Sequence, residues 1–364
     1  MERRIEKRQL ANILALFLIV QFGGLLFTFY SIPPNEIAML SAQPVASASG
    51  TQLLYIVIYL VVAIAASALL FLFVLNRYHG EAAYKLMEAY AIGLPTFFLG
   101  YFFAQDLYPA TLPQAVVAGL VSASALIIAK NIWPWIRNFA TVIASIGIGV
   151  VIGLNGFSLS YLFMLVIAAY DYIAVFITKH MQVMAKAMSE RNLAFLIGSS
   201  DLEVMPRSYL SKKEVGDIKA SIKEGKLKDP TIKSIVKKGA YPTVSQVALG
   251  GGDLALPLML VVGLYISYGN VFASILLILG AALGLLATMW LLQKYKVPLP
   301  AIPPLFAFMN LGLAAAFLAL GRATALESSA FVILFALLMC LILFTLKRIR
   351  PKQANSMAKK RVSM

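Results

Sequence analysis

Residues 165–180 read LVIAAYDYIAVFITKH, and residues 245–261 read SQVALGGGDLALPLMLV. Each stretch is an apolar run of the kind that crosses a bilayer, and each contains one aspartate, Asp171 or Asp253. A charged side chain near the bilayer centre costs at least about 3 kcal/mol on insertion scales, so such residues indicate function. These two are the clear acidic residues at membrane depth, and together they predict a shared site.

The rest of the chain is as apolar as these two stretches. Of its 364 residues, 60% are hydrophobic and 13% are charged, whereas a soluble domain carries about 25% charged residues. A helix needs about 20 apolar residues to cross the hydrocarbon core. Ten runs approach or exceed that length: 9–31, 51–75, 84–105, 112–131, 138–155, 158–186, 246–268, 271–292, 299–320 and 328–346. The sequence therefore predicts an all-α, polytopic membrane protein, although prolines interrupt the third and ninth runs.

The net charge of +15 could indicate a nucleic-acid partner, but the distribution of the charge argues against one. With ten spans and a cytoplasmic N-terminus, every Lys and Arg except Arg322 lies on or near the cytoplasmic side. This is the positive-inside pattern of a multi-pass protein. The excess of basic residues therefore predicts orientation in the cell membrane and attraction to anionic lipid headgroups.

The hydrophobic runs divide the chain into blocks. The predicted blocks are six spans, a basic cytoplasmic loop, four further spans and a basic cytoplasmic tail, over 1–187, 188–244, 245–346 and 347–364. Within the loop, Ser211 with Glu214 three residues later forms a capping-box pattern and predicts a short helix that Gly225 would end. The stretch Tyr241–Val244 is predicted to be extended.

The positions of the two aspartates predict that they face each other. Asp171 precedes Lys179 by eight residues, and Asp253 follows Ser245 by eight residues. If both stretches are helical, each aspartate lies about 12 Å from the same membrane face. Consecutive spans run antiparallel, so the two carboxyl groups would come to the same depth.

Two carboxyl groups close together in an apolar site cannot both ionise easily, so the pair can share one proton. One group can then deprotonate a water while the other protonates a carbonyl oxygen. This chemistry is typical of peptide hydrolysis, and it requires no metal and no cofactor. The zinc-protease pattern His-Glu-x-x-His does not occur, and the two histidines, His79 and His180, are far apart in sequence.

Two further features adjoin these stretches. Gly250, Gly251 and Gly252 precede Asp253, and glycines allow close approach of another backbone. That property suits both helix packing and access of water and peptide to the acid. Residues 297–306, VPLPAIPPLF, contain four prolines, which predict either a helix start or a loop that lines the site.

The ordered set of motifs resembles the presenilin and signal peptide peptidase family of intramembrane aspartyl proteases. That family has Tyr-Asp in its sixth span, Gly-x-Gly-Asp in its seventh and Pro-Ala-Leu at the start of its ninth. Here Tyr170-Asp171, Gly250–Asp253 and Pro300-Ala301-Ile302 match them in order, with Ile302 in place of leucine. The resemblance extends over about residues 9–320.

The resemblance implies a nine-span presenilin-like helical bundle, to which the run 328–346 adds a tenth span. It implies that Asp171 and Asp253 are the catalytic pair, that Tyr170 and the three glycines shape the pocket, and that Pro300–Ile302 position substrate. The substrates would be single-span transmembrane proteins or peptides, cleaved after local unwinding. An extended substrate could add as a strand beside exposed backbone, and Tyr241–Val244 is our candidate for that edge.

The resemblance also bears on orientation and origin. The cytoplasmic loop 188–244 matches the presenilin orientation and favours substrates whose N-terminus faces outside. Short outside loops are typical of a prokaryotic, archaeal homologue.

A different class of protein stays open from the residues alone. Intramembrane aspartates, glycine-broken helices and proline-rich helix starts also occur in ion- or proton-coupled transporters and channels. A prepilin peptidase also uses Gly-x-Gly-Asp, but the Tyr-Asp partner and the proline motif favour the first family. Glu88 and Lys130 lie near predicted span ends, and we expect both to reach the interface by snorkelling.

Overall fold

The computed structural model describes residues 7–31, 81–107, 111–133, 136–178, 196–206, 240–295, 299–321 and 325–362, with single positions between 55 and 77. The chain divides into two compact units. One comprises Met1–Ile13 and Gly198–Ala248. The other comprises Leu14–Ile197 and Leu249–Met364 and contains most of the helical residues.

The described residues form nine α-helices and two strands. In chain order these elements are α1 (Lys7–Ser31), α2 (Glu81–Leu107), α3 (Leu112–Ile132), α4 (Ile136–Gly153), α5 (Phe157–Tyr172), β1 (Leu196–Pro206), β2 (Ala240–Gly250), α6 (Gly251–Tyr268), α7 (Val271–Tyr295), α8 (Ile302–Ala319) and α9 (Ala325–Val362). Helix α5 continues as a π-helical segment, Ile173–Ile177.

The predicted class is confirmed, because the protein is an all-α, polytopic membrane bundle. Within the described part of the chain, nine helices are long and apolar enough to cross a membrane. They correspond to nine of the ten predicted runs, and the remaining run, 51–75, lies largely outside the described residues. Pro95 does not interrupt the third run, since α2 continues through it.

Helix α6 lies at the centre of the helical unit. Of its membrane-spanning residues, 72% are buried, against 33% for the span that contains α5. Glycines bring α4 close to it: a Cβ at Gly149 would lie 2.9 Å from the Ala255 carbonyl oxygen, and one at Gly153 would lie 2.7 Å from the Val262 side chain. Small residues at such crossings let helix backbones approach closely in a membrane.

The strands β1 and β2 pair in a two-stranded sheet. The extended conformation predicted for Tyr241–Val244 is confirmed by β2, whereas β1 was not predicted. The prediction that a helix begins at residue 246 was wrong, because β2 continues to Gly250 and α6 begins at Gly251. The predicted helix at Ser211–Gly225 lies outside the described residues.

Helix α9 confirms a tenth hydrophobic run, with Ser329–Arg348 apolar enough to span. Ile342 and Leu346 on this helix form a buried cluster with Leu291 of α7. Partly buried Phe176 and Leu299 pack against the same cluster. The C-terminal helix therefore contacts both the end of α5 and the chain just before α8.

Candidate active site

Asp171 lies near the end of α5. The helix begins after Gly156, whose φ of 86° is a left-handed conformation that favours glycine. From Ile173, two residues after the aspartate, the helix widens into the π-helical segment. At the end of this segment the Thr178 N–H donates to the Ile173 carbonyl at 3.0 Å. Short π-helical segments occur often at functional sites. The Asp171 residue is 2% exposed.

The N-terminus of α8 binds the Asp171 carboxyl group. The backbone N–H of Ile302 donates to Asp171 Oδ2 at 3.2 Å, and the N–H of Ala301 also interacts with this carboxyl group. Pro303 and Pro304 occupy the first turn of α8, where the missing proline N–H costs no helical hydrogen bond. A helix N-terminus favours negative charge through its unpaired N–H groups and its dipole.

Asp253 is held differently, in the first turn of its own helix. It is the third residue of α6, and its Oδ2 accepts the backbone N–H of Gly250, the N-cap, at 3.2 Å. This is the side chain-to-backbone half of a capping box. Asp253 is partly exposed. The depth of about 12 Å expected for it assumed helical rise from Ser245, and that premise was wrong because β2 is extended there.

The structure brings the two carboxyl groups within electrostatic reach of each other. Helices α5 and α6 run antiparallel: a Cβ at Gly263 would lie 2.7 Å from Ser160 Oγ, at the end of both helices remote from the aspartates. At that end the Phe157 N–H donates to Ser267 Oγ at 2.8 Å. The pairing of the helices thus places the aspartates together at the other end.

The remaining residues singled out from the sequence surround this pair. Tyr170 is partly buried and interacts electrostatically with Asp171. The carbonyl of Gly251 accepts a hydrogen bond from Ser145 Oγ at 3.1 Å. Gly252 is exposed, and a Cβ on it would meet no atom of the described residues within 4 Å.

The proline motif contributes mainly backbone. Pro300 is buried just before α8, Ala301 is the N-cap, and Ile302, with 5% exposure, begins the helix. The predicted proline-rich helix start is confirmed, and the described residues 299–301 before it are not helical; that this segment lines the site stays a prediction. Within the described residues, no group of three or more His, Cys, Asp or Glu side chains is placed to hold a metal ion.

Several contacts of the site were not predicted. Ser145 on α4 and Gln21 on α1 both donate to carbonyls of α6, and Gln21 Nε2 reaches the Leu254 oxygen at 2.9 Å. The Tyr172 hydroxyl lies 2.6 Å from Thr345 Oγ1 on α9. Gln21, in the interior of the apolar first span, was a signal in the sequence that pointed to such a contact.

The expected snorkelling of Glu88 and Lys130 was wrong. The two side chains form an ion pair with 2.7 Å between Oε1 and Nζ, and they are 10% and 4% exposed, respectively. Charged groups in a bilayer pair with each other because an unpaired charge there is costly. The pair joins α2 to α3.

A comparison with protein-family models matches residues 14–326 to signal-peptide peptidase, presenilin aspartyl protease. The chain belongs to this family. The matched region includes both aspartates and the Pro300–Ile302 segment, and it ends at the start of α9. No curated protein is similar enough to the chain to count as a match. At the level of the family, membership supports an intramembrane aspartyl protease, and the transporter alternative is not favoured.

Proposed function

We propose that this member of the signal-peptide peptidase and presenilin family hydrolyses peptide bonds within transmembrane helices of single-span membrane proteins. Asp171 and Asp253 are its catalytic pair. The observation that carries the proposal is that the antiparallel pairing of two apolar helices brings both aspartates to the same end of the pair. The backbone bonds from Ile302 and Gly250 hold the two carboxyl groups in place.

The two carboxyl groups act as a unit with one proton between them. The ionised group takes a proton from a water molecule, whose oxygen attacks the scissile carbonyl carbon. The protonated group gives its proton to the carbonyl oxygen, and a tetrahedral diol forms. The group that took the proton from water gives it to the amide nitrogen, and the other group takes a proton from one hydroxyl of the diol as the C–N bond breaks. The products are a carboxylic acid and an amine, and the pair again holds one proton.

The surrounding residues suit a peptide substrate. Tyr170 stands beside the pair, and the side-chain-free backbone of Gly252 leaves room for an approaching peptide. We assign Gly250 and Gly251 to the shape of the pocket and Pro300–Ile302 to the orientation of Asp171 and of substrate. The role of Tyr241–Val244 as an edge for an extended substrate stays a prediction.

We further propose that the protein lies in the cell membrane with its N-terminus and the 188–244 loop in the cytoplasm. The distribution of Lys and Arg supports this orientation. Substrates with an outside N-terminus would then be preferred, and membrane lipids are its immediate surroundings.

The test is cleavage of a single-span substrate by purified protein in liposomes. Asp171→Asn and Asp253→Asn are each expected to reduce cleavage to background, because an amide supplies neither the general base nor the acid. A hydroxyl-containing mimic of the tetrahedral intermediate should inhibit the unmodified protein. Asp106→Asn is the matched control, since Asp106 is an exposed aspartate of α2.

Retained cleavage in either catalytic variant would overturn the assignment of the pair. Absence of cleavage together with aspartate-dependent ion flux through the same liposomes would instead support the transporter alternative.

A further inference from the structure

The start of α6, which carries Asp253, is weak by itself. Its first two residues are Gly251 and Gly252, and glycine disfavours helix. Pro257, four residues after Asp253, has no N–H to donate to the Asp253 carbonyl. Apart from the bond of Asp253 Oδ2 to the Gly250 N–H, the first two turns of the helix therefore have little intrinsic means of fixing the position of the carboxyl group.

Two polar side chains from neighbouring helices bond to these turns. Ser145 of α4 donates to the Gly251 carbonyl at 3.1 Å, two residues before Asp253. Gln21 of α1 donates to the Leu254 carbonyl at 2.9 Å, one residue after it. Ser145 is 1% exposed and Gln21 is 0% exposed, so water does not compete for either bond. The aspartate is thus bracketed by two buried bonds from separate helices.

The side-chain amide of Gln21 is only half satisfied. Its Oε1 is buried and has no hydrogen-bond partner among the described residues. A buried polar atom without a partner loses the hydrogen bonds that it would make with water, and an apolar side chain would avoid this loss. An unsatisfied buried polar group in a folded protein calls for an explanation, and a functional role is one.

We propose that Gln21 and Ser145 are positioning residues that fix the first turns of α6, and through them the carboxyl group of Asp253 relative to Asp171. The inference rests on the proposed function. It deepens that function by assigning the geometry of the pair to two residues that do not touch the reacting atoms. Helices α1 and α4 thereby become supports of the active site.

If Gln21 is a positioning residue, its replacement should lower activity without lowering stability. Gln21→Met keeps an unbranched side chain of similar length and removes both the bond and the unpartnered oxygen. We expect kcat to fall about tenfold, since a misplacement of about 1 Å can cost about 100-fold. The Tm should be unchanged or higher, because an apolar replacement of similar shape removes the buried unsatisfied group. A merely structural glutamine would lower Tm and activity together.

Ser145→Ala provides an independent variant with a very small change in volume. It should lower kcat by about the same factor, leave KM within about twofold and alter the shape of the pH–rate profile, because the distance between two coupled carboxyl groups sets that shape. Active sites are counted by titration with the hydroxyl-containing inhibitor, so that misfolded protein does not affect kcat.

Ser274→Ala is the matched control. Ser274 is also fully buried and also donates to a carbonyl of α6, that of Val261 at 3.4 Å, but eight residues beyond Asp253. It should leave kcat within about twofold of the unmodified protein, since its bond lies outside the turns that hold the aspartate.

The outcomes distinguish the two proposals. An active unmodified protein, with Gln21→Met and Ser145→Ala cleaving at its full kcat, would overturn the positioning role alone. A parallel fall of kcat and Tm, equal to that in Ser274→Ala, would also overturn it. Failure of the unmodified protein to cleave, or cleavage that does not require the two aspartates, would overturn the proposed function and this inference with it.

Discussion

The two helices that carry the aspartates hold them in opposite ways. Asp171 lies near the end of α5, is almost fully buried and accepts N–H groups from a different helix, α8. Asp253 lies in the first turn of α6, is partly exposed and accepts the N–H of its own N-cap, Gly250. One carboxyl group therefore depends on the docking of α8, and the other depends on how the chain enters its own helix.

The surroundings of the two helices differ in the opposite sense, because the buried Asp171 lies on the less buried helix. Helix α6 is packed on several sides, and its start receives bonds from α1 and α4. The span that contains α5 is only 33% buried and ends in a π-helical segment next to α9. The central helix thus has a weak start that its neighbours support, whereas the peripheral helix relies on contacts near its end.

The largest expected effect is that of pH on the pair as a whole. Cleavage needs one protonated and one ionised carboxyl group, so kcat should follow a bell-shaped curve whose two apparent pKa values belong to the pair. At low pH both groups are protonated and no base remains, and at high pH both are ionised and no acid remains. Rates measured in liposomes across the pH range would test this, and a profile with a single limb would contradict a shared proton.

Substitutions at two of the glycines before Asp253 should affect different kinetic constants, kcat at Gly250 and KM at Gly252. A Cβ at Gly250 would lie 3.2 Å from Asp253 Oδ2, so Gly250→Ala must displace the carboxyl group, and kcat should fall at least about tenfold. Gly252→Ala is its matched control within the same motif, because a Cβ there meets no described atom within 4 Å. Any loss in that variant should appear in KM, through the approach of substrate. Equal falls of kcat in both variants would contradict the role assigned to Gly250.

Contacts near the end of α5 should have a smaller effect. Thr345 Oγ1 donates to the Leu341 carbonyl at 2.8 Å, so the Tyr172 hydroxyl is the donor in the bond to Thr345. Tyr172→Phe should lower the free energy of unfolding by about 1 kcal/mol, and kcat should fall about threefold. Thr345→Val removes the same bond between the helices and also the bond to the Leu341 carbonyl, so the double variant should be no worse than Thr345→Val alone. Additive losses would show that the two residues act separately.

The smallest effect is expected at Ile302, on the side of the site held by α8. Ile302→Leu introduces the residue that the family motif has at this position. The contact with Asp171 is made by the backbone N–H, and a swap of similar volume in a packed site usually costs less than about 1.5 kcal/mol. Cleavage should stay within about twofold. A large loss would show that the side chain, and not only the backbone, orients Asp171 or substrate.

Local patterns predicted most of the architecture. The length and composition of the apolar runs predicted nine helices that the structure describes, because hydrocarbon imposes helical structure on any chain of sufficient length that crosses it. The motifs around Asp171, Asp253 and Pro300 predicted which helices contribute to the candidate site. The match of residues 14–326 to the family confirmed the resemblance on which these predictions converged.

Other features depend on which surfaces meet, and no pattern in the sequence revealed them. Glu88 and Lys130 were expected at the interface, but they pair with each other because α2 and α3 pack together. The helix expected from residue 246 begins five residues later, at Gly251, because the chain up to Gly250 forms strand β2, which pairs with β1.

The sequence by itself determined that this protein is a multi-pass helical bundle with an acidic pair in its apolar spans, because hydrophobicity and charge act locally and can be counted along the chain. Only the tertiary structure decided how each acid is held: Asp171 by backbone N–H groups of α8, and Asp253 by its own N-cap within turns supported by Gln21 and Ser145. Three of these four contacts join residues more than 100 positions apart in the sequence. A hydrogen bond depends on distances of a few tenths of an ångström, and those distances are set only when the helices pack.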